Sequence, residues 1–202
     1  VVTLKINHGK SEVFNGHGTQ CCVDFLRGGT GDGFVEENVE FARKQIKNIK
    51  WNHDVGFMIY CSFGNGLRLT GDPEYKEVIV EAARSLSTRF RPVAGIIQSW
   101  DVDRGWISER GWECPVIIDN MMNLELLFAA TRLSGDSTFY KVAVSHVDRT
   151  MKEQYRPDGS CYHVVDYSMK DGSVRNRHTA QGYAHESAWS RGQAWGIYGL
   201  TL

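Results

Sequence analysis

A chain of 202 residues that is 42% hydrophobic and 23% charged carries enough apolar material for a sizeable core, and its formal net charge of -1 gives no general attraction to nucleic acid or an anionic membrane. It has no lysine-rich stripe or RNA-binding signature, and no apolar run approaches the roughly 18 residues a membrane span needs. One domain over 1–202 is the expectation.

The chain opens on "VVTLKINHGK", which lacks an initiator Met and the long apolar stretch of a signal peptide. Next comes "SEVFNGHGTQCCVDFLRGG", with glycines, two cysteines and no helical periodicity. From Thr30 the pattern changes. "TGDGFVEENVEFARKQI" reads as a turn followed by a helix, and the same landmark returns as "TGDPEYKEVIVEAARSL" from Thr70 and "SGDSTFYKVAVSHVDRTM" from Ser134. In each, the Gly should end the preceding helix in a left-handed conformation, and the Asp or a neighbour should cap the next. Apolar positions then recur at helical spacing, as in Tyr75, Val78, Ile79, Ala82, Ala83 and Leu86.

Two landmarks are preceded by a second kind of element. "DVGFMIYCSFGNGLRLTGD" starts at Asp54 and "DNMMNLELLFAATRLSGD" at Asp119, so the two acids occupy equivalent places at the heads of almost wholly apolar helices. All-round hydrophobicity predicts inner helices, and the amphipathic helices after each GD turn are predicted to lie outside them. A fourth unit begins at "ESAWSRGQAWGIYGLTL". Repeated inner-outer hairpins predict an all-α fold, an α/α toroid whose inner-helix N-termini line one mouth.

Long connections run from Pro92 to Pro115 and from Arg156 to Ala184, and loops of that length in a compact domain usually serve a site or form small strands. "SCYHVVDYS" alternates like a short strand, and "DGSVRN" after it resembles a hairpin turn. Five cysteines, Cys21, Cys22, Cys61, Cys114 and Cys161, are an odd number without CxxC spacing or a paired His motif. Neither zinc nor a disulfide framework is expected, and buried free thiols are.

Four stretches, "WNHDVGFMIYCSFGNGLRLTGD", "VIIDNMMNLELLFAAT", the "RPDGS" segment with the strand that follows it, and "HTAQGYAHESAWSRGQAWGIYGL", resemble the unsaturated glucuronyl hydrolases, glycoside hydrolase family 88. They fall in the family's order across about Gly33 to Leu202. The resemblance implies an (α/α)6 barrel, of which this chain would supply about half the hairpins. It implies removal of a 4,5-unsaturated uronic acid from lyase-generated oligosaccharides, in the cytoplasm or periplasm of a bacterium. Residues 1–32 depart from the family pattern, as local divergence or a reading-frame error would explain.

In that family the substrate is an enol ether and the reaction hydrates its C4=C5 bond. The resemblance makes Asp119 the general acid and base and Asp54 its partner. It places His53, Trp100, His163, Gln181, Trp189, Arg191 and Trp195 around the sugar, where aromatic faces stack, Arg pairs with a carboxylate, and His or Gln donates hydrogen bonds. No metal or organic cofactor is expected, since protonating an activated alkene needs only a positioned acid and water. Plainer roles compete: each Asp as a helix cap, the Trp residues as core, His53 as a prop for Asp54. Helix amides favour the Asp119 anion while burial and a second acid oppose it, and the sequence leaves that contest open. An unsaturated rhamnogalacturonyl hydrolase, an inverting glycosidase working on saturated sugars through two carboxylates, and an inactive carbohydrate-binding toroid remain as alternatives. Oligomeric state is not encoded in any feature of the sequence.

Overall fold

The computed structural model describes residues 53–103 and 105–202. The divergent segment before Gly33, the first GD landmark at Thr30, Cys21 and Cys22 all lie outside the described residues. The first apolar helix starts at α1 (Val55–Ile59), passes through a π-helical turn (Tyr60–Gly64) and ends as α2 (Asn65–Thr70). Its amphipathic companion is α3 (Pro73–Ser87). After a two-stranded hairpin, β1 (Phe90–Arg91) and β2 (Ile96–Ile97), and the short α4 (Gly105–Ser108), strand β3 (Pro115–Ile117) leads into a 3-10 helix (Ile118–Asn123). That helix runs straight on as α5 (Leu124–Ser134), which pairs with α6 (Ser137–Glu153). The chain then forms β4 (Val164–Tyr167), β5 (Val174–His178) and α7 (Ser190–Leu200).

The two GD turns are built alike. Gly71 and Gly135 take φ of 73° and 77°, the left-handed region that glycine tolerates at a helix end. Asp72 Oδ1 accepts from the Glu74 amide at 2.9 Å, and Asp136 Oδ1 from the Thr138 amide at 2.8 Å. The first residue of the landmark also acts: Thr70 Oγ1 and Ser134 Oγ accept from the amides of Asp72 and Asp136. Downstream, Tyr75, Val78, Ile79, Ala82, Ala83 and Leu86 are buried on one face of α3. They join Leu124, Leu126, Leu127 and Ala130 of α5 in a continuous core.

Small sheets qualify the all-α expectation. Strands β3, β4 and β5 form an antiparallel sheet in that order, with Ile117 opposite Val164 and Val164 opposite His178. The alternation in "SCYHVVDYS" is realised as β4, and the turn at Gly172, with φ of 73°, joins it to β5. Asp166 of β4 is fully buried and accepts from the amides of Glu113 and Cys114, both at 2.9 Å, while Arg175 pairs with its other oxygen. A buried carboxylate this well satisfied is a fastener, and it pins β4 to the residues entering β3.

Helix α7 lies against the 3-10 helix through glycines. A Cβ at Gly192 would sit 2.7 Å from Ile118 Cγ2, and one at Gly199 would sit 2.6 Å from Met121 Cβ, so these positions admit no side chain without displacement. Cys61, Cys114 and Cys161 form no disulfide among the described residues, and Cys114 and Cys161 are buried; burial pushes the Cys114 thiol up to about 12 and that of Cys161 to about 11. Thiols so raised stay protonated and serve as packing atoms. No helix among the described residues is long and apolar enough to cross a membrane.

Candidate active site

The sheet and the apolar helices converge at one end. Strand β3 delivers Asp119 into the 3-10 helix, whose Ile118 amide donates to the His163 carbonyl at 3.0 Å. His163 immediately precedes β4, Thr179 to Gln181 follow β5, and Trp189 is the N-cap of α7. Asp54 is the N-cap of α1.

Neither acid behaves as a plain cap. Asp54 makes no capping hydrogen bond to its own helix, and its Oδ1 lies 3.0 Å from His53 Nε2. Asp119 is buried at 7% exposure, and its Oδ2 has no hydrogen-bond partner among the described residues. Their electrostatics diverge. Burial pushes Asp54 up, but the His53 contact and the Arg191 guanidinium outweigh it, and the carboxyl stands below the ordinary value. For Asp119 burial wins over the opposing pull of His53 and Arg191, with the charge of Asp54 adding to the rise, so its carboxyl stands above the ordinary value. Two acids driven apart in this way divide naturally into a proton-holding group and an ionised one.

The remaining predicted residues fall into two groups around this pair. On the Asp54 side, Trp100 meets His53 edge to face with centroids 6.0 Å apart. Trp100 also stacks on Trp112 and abuts Trp106, and Arg110 sits over the rings of Trp106 and Trp112 at 5.3 and 5.6 Å. On the opposite side, Trp189 packs on His163 at 4.1 Å, Arg191 lies over Trp189 at 4.4 Å, and Arg191 donates to the Gln181 side chain. Trp195 is set apart: one turn beyond Arg191, it turns edge-on to Phe57 of α1 at 4.9 Å and to Tyr198.

His163 has a defined proton. Its Nδ1 accepts from the Ala180 and Gln181 amides at 3.1 and 3.3 Å, and burial with the nearby Arg191 pushes the ring down to about 4. The imidazole is therefore neutral near pH 7 and carries its hydrogen on Nε2, a buried donor without a partner among the described residues. Sequence reasoning omitted Thr179, whose hydroxyl lies 3.1 Å from His163 Nδ1, together with Trp106, Trp112 and Asn123. The tryptophans lay inside the flagged loop from Pro92 to Pro115, but nothing local tied them to Trp100. Among the described residues, no group of three or more His, Cys, Asp or Glu is placed to hold a metal ion.

Helical hairpins that gather acids, aromatics and a guanidinium at the N-terminal ends of the inner helices define an α/α toroid of the carbohydrate-active kind. No family model matches the chain. It is 49% identical over 177 residues to an unsaturated glucuronyl hydrolase of Formosa agariphila, covering 86% of this chain and 43% of that protein. It is 36% identical over 153 residues to an unsaturated chondroitin disaccharide hydrolase of Streptococcus agalactiae, covering 75% and 37%. The crystal structure of an unsaturated glucuronyl hydrolase specific for heparin superposes with a TM-score of 0.74 at 41% identity, over 92% of this chain and 48% of that one. The chain belongs to the unsaturated glucuronyl hydrolase family, and it spans less than half the length of these curated relatives.

Proposed function

We propose that the protein carrying this chain removes a 4,5-unsaturated uronic acid from the non-reducing end of oligosaccharides by hydrating the C4=C5 bond. The observation that carries this reading is the opposed pair of acids, Asp119 raised by burial and Asp54 held low by His53 and Arg191. Protonated Asp119 delivers its proton to C4. The positive charge that develops is shared between C5 and the ring oxygen, where the ionised Asp54 stabilises it. Water then adds at C5, Asp119 takes back a proton from that water, and the hemiketal opens to release the next sugar. Asp119 thus ends the cycle protonated, as it began.

The surrounding groups suit a flat, anionic ring. Trp189 and Trp100 offer aromatic faces, His163 offers its Nε2 hydrogen, and Arg191 offers a charged fork for the uronate carboxylate. Gln181, hydrogen-bonded to Arg191, orients that fork, while Trp195 packs edge-on against Phe57 of α1 one turn further along α7. Relatives named for chondroitin disaccharides and for heparin support glycosaminoglycan fragments as the substrate class.

The test is the ultraviolet absorbance of the conjugated enol carboxylate, followed in unsaturated disaccharides from chondroitin, hyaluronan, heparin and rhamnogalacturonan. The full-length protein should consume at least one glycosaminoglycan product, and its Asp119→Asn variant should do so about 10³-fold more slowly. Consumption of the rhamnogalacturonan product alone would move the protein to pectin fragments. Turnover of saturated sugars with the double bond left intact would replace hydration with displacement at the anomeric carbon.

A further inference from the structure

The first amides of a helix have no partner within it, and an Asp at the N-cap ordinarily supplies one. Asp54 does not, although its backbone sits at the N-cap of α1 with φ of -75° and ψ of 3°. The amide of Gly56 donates instead to Asn123 Oδ1 at 2.9 Å, across 67 residues of sequence. From the same side chain, Nδ2 donates to the His53 carbonyl at 2.7 Å. His53 and Gly56 flank Asp54, so one rigid, fully buried amide brackets its backbone on both sides.

Asn123 ends the 3-10 helix that carries Asp119 four residues earlier. We propose that Asn123 is a positioning residue: by capping α1 in place of Asp54, it fixes the spacing of the two acids and leaves the Asp54 carboxylate to the site. This rests on the functional reading above. Gly56 gives a second, independent observation. A Cβ there would lie 2.4 Å from Asn123 Oδ1 and 2.6 Å from its Cα, so the helices approach this closely only because residue 56 has no side chain.

The clamp makes catalysis depend on hydrogen bonding and not on volume. Asn123→Ala removes both bonds, while Asn123→Asp keeps the size and the acceptor for Gly56 but turns a carboxylate oxygen toward the His53 carbonyl. Both variants of the full-length protein should lose about 100-fold in kcat, the scale of misplaced catalytic groups, with KM within a few-fold of the parent. In Asn123→Ala the alkaline limb of the pH-rate profile should move to lower pH, because Asp54 no longer sits where its charge supports protonation of Asp119; His53, Arg191 and Cys161, which also interact with Asp119, remain. Leu86→Ala, in the core of α3, serves as a comparison matched in thermal stability and should leave that limb in place. Amide hydrogen exchange at Gly56 should accelerate at least 10-fold in Asn123→Ala, a readout that needs no turnover.

An unmoved alkaline limb in Asn123→Ala, or full kcat in Asn123→Asp, would overturn the positioning role. Unchanged exchange at Gly56 would overturn the clamp itself. A parent that consumes no unsaturated disaccharide would overturn the functional reading, and the catalytic role of the clamp with it.

Discussion

Four aspartates, each written just before a helix, divide into two kinds. Asp72 and Asp136 stand at the outer turns, each accepting the amide two residues ahead and remaining in contact with solvent. Asp54 and Asp119 head the apolar helices; Asp54 makes no capping hydrogen bond to its own helix, and Asp119 lies one residue inside its 3-10 helix with Oδ2 unpartnered among the described residues. The difference lies in who takes the backbone donors. At the outer turns the Asp is the nearest acceptor, so local chemistry settles its role. At the inner ends the donors are taken by distant groups: Gly56 gives its hydrogen to Asn123, Ile117 to the Ser99 hydroxyl, and Ile118 to the His163 carbonyl. A carboxylate relieved of capping is available for other chemistry, and burial then decides its proton affinity.

The largest effect that separates the two kinds is Asp119→Asn. It should lower kcat by about 10³-fold, within the range for removing a general acid. Stability should move the other way. A carboxyl whose folded-state value is raised contributes its stability below its unfolded value of 3.8, and that stability is lost as pH rises through the folded value. Above that window the variant should melt no lower than the parent, and below pH 3.8 the two should coincide. A loss of stability at neutral pH comparable to its loss in rate would show that Asp119 is a cap after all. Thermal melts across pH, run beside the absorbance assay, read both quantities.

Asp54→Asn should cost less, about 10²-fold in kcat, since it removes charge stabilisation and leaves the proton donor in place. Here the linkage has the opposite sign. Asp54 is held below 3.8, so its contribution to stability is present above that value and fades as pH falls through the lower, folded one. Its variant should therefore be the less stable at neutral pH, and the gap should close on acidification. Arg191→Ala comes next, with KM raised about 10-fold or more from the loss of a charge-assisted hydrogen bond to the substrate carboxylate. Because Arg191 lowers both acids, its removal should carry both limbs of the pH-rate profile toward higher pH. A rise in KM with both limbs fixed would place Arg191 near the substrate but away from the acids.

What the sequence disclosed follows the same division. The GD turns at Gly71 and Gly135, the buried face of α3 from Tyr75 to Leu86, and the strand at "SCYHVVDYS" are written in neighbouring residues, and the structure has them where the pattern places them. The two acids were visible as equivalent positions in a repeat, and their neighbours through family resemblance. The sign of the Asp119 shift was not visible, because it depends on burial by segments far away in the chain. Nor was Asn123, which looked like one more polar residue in "DNMMN" although its partners lie 67 and 70 residues away. Strand β3 hid for a related reason: three apolar residues, "PVI", have no period of their own, and only pairing with β4 makes them a strand. The strand at "SCYHVVDYS" and the turn after it were legible, but the pairing of β3 with β4, which brings Asp119 and His163 to the same place, was not.

The smallest effect tests the other side of the comparison. Asp72→Ala should cost about 1 kcal/mol of stability, the usual loss for an N-cap, and leave kcat and KM unchanged. Asp136→Ala should act in the same direction. The two turns are built from the same three residue types, with Thr70 or Ser134 accepting from the Asp amide and a left-handed Gly between them. They belong to different hairpins, so the double variant should lose the sum of the single losses, as independent sites do. Chemical denaturation of the three variants measures this directly. A fall in kcat for Asp72→Ala at unchanged KM would mean that the outer turn is coupled to the mouth of the barrel. The separation between acids that hold the fold and acids that serve the site would then fail at the place where the sequence draws it most plainly.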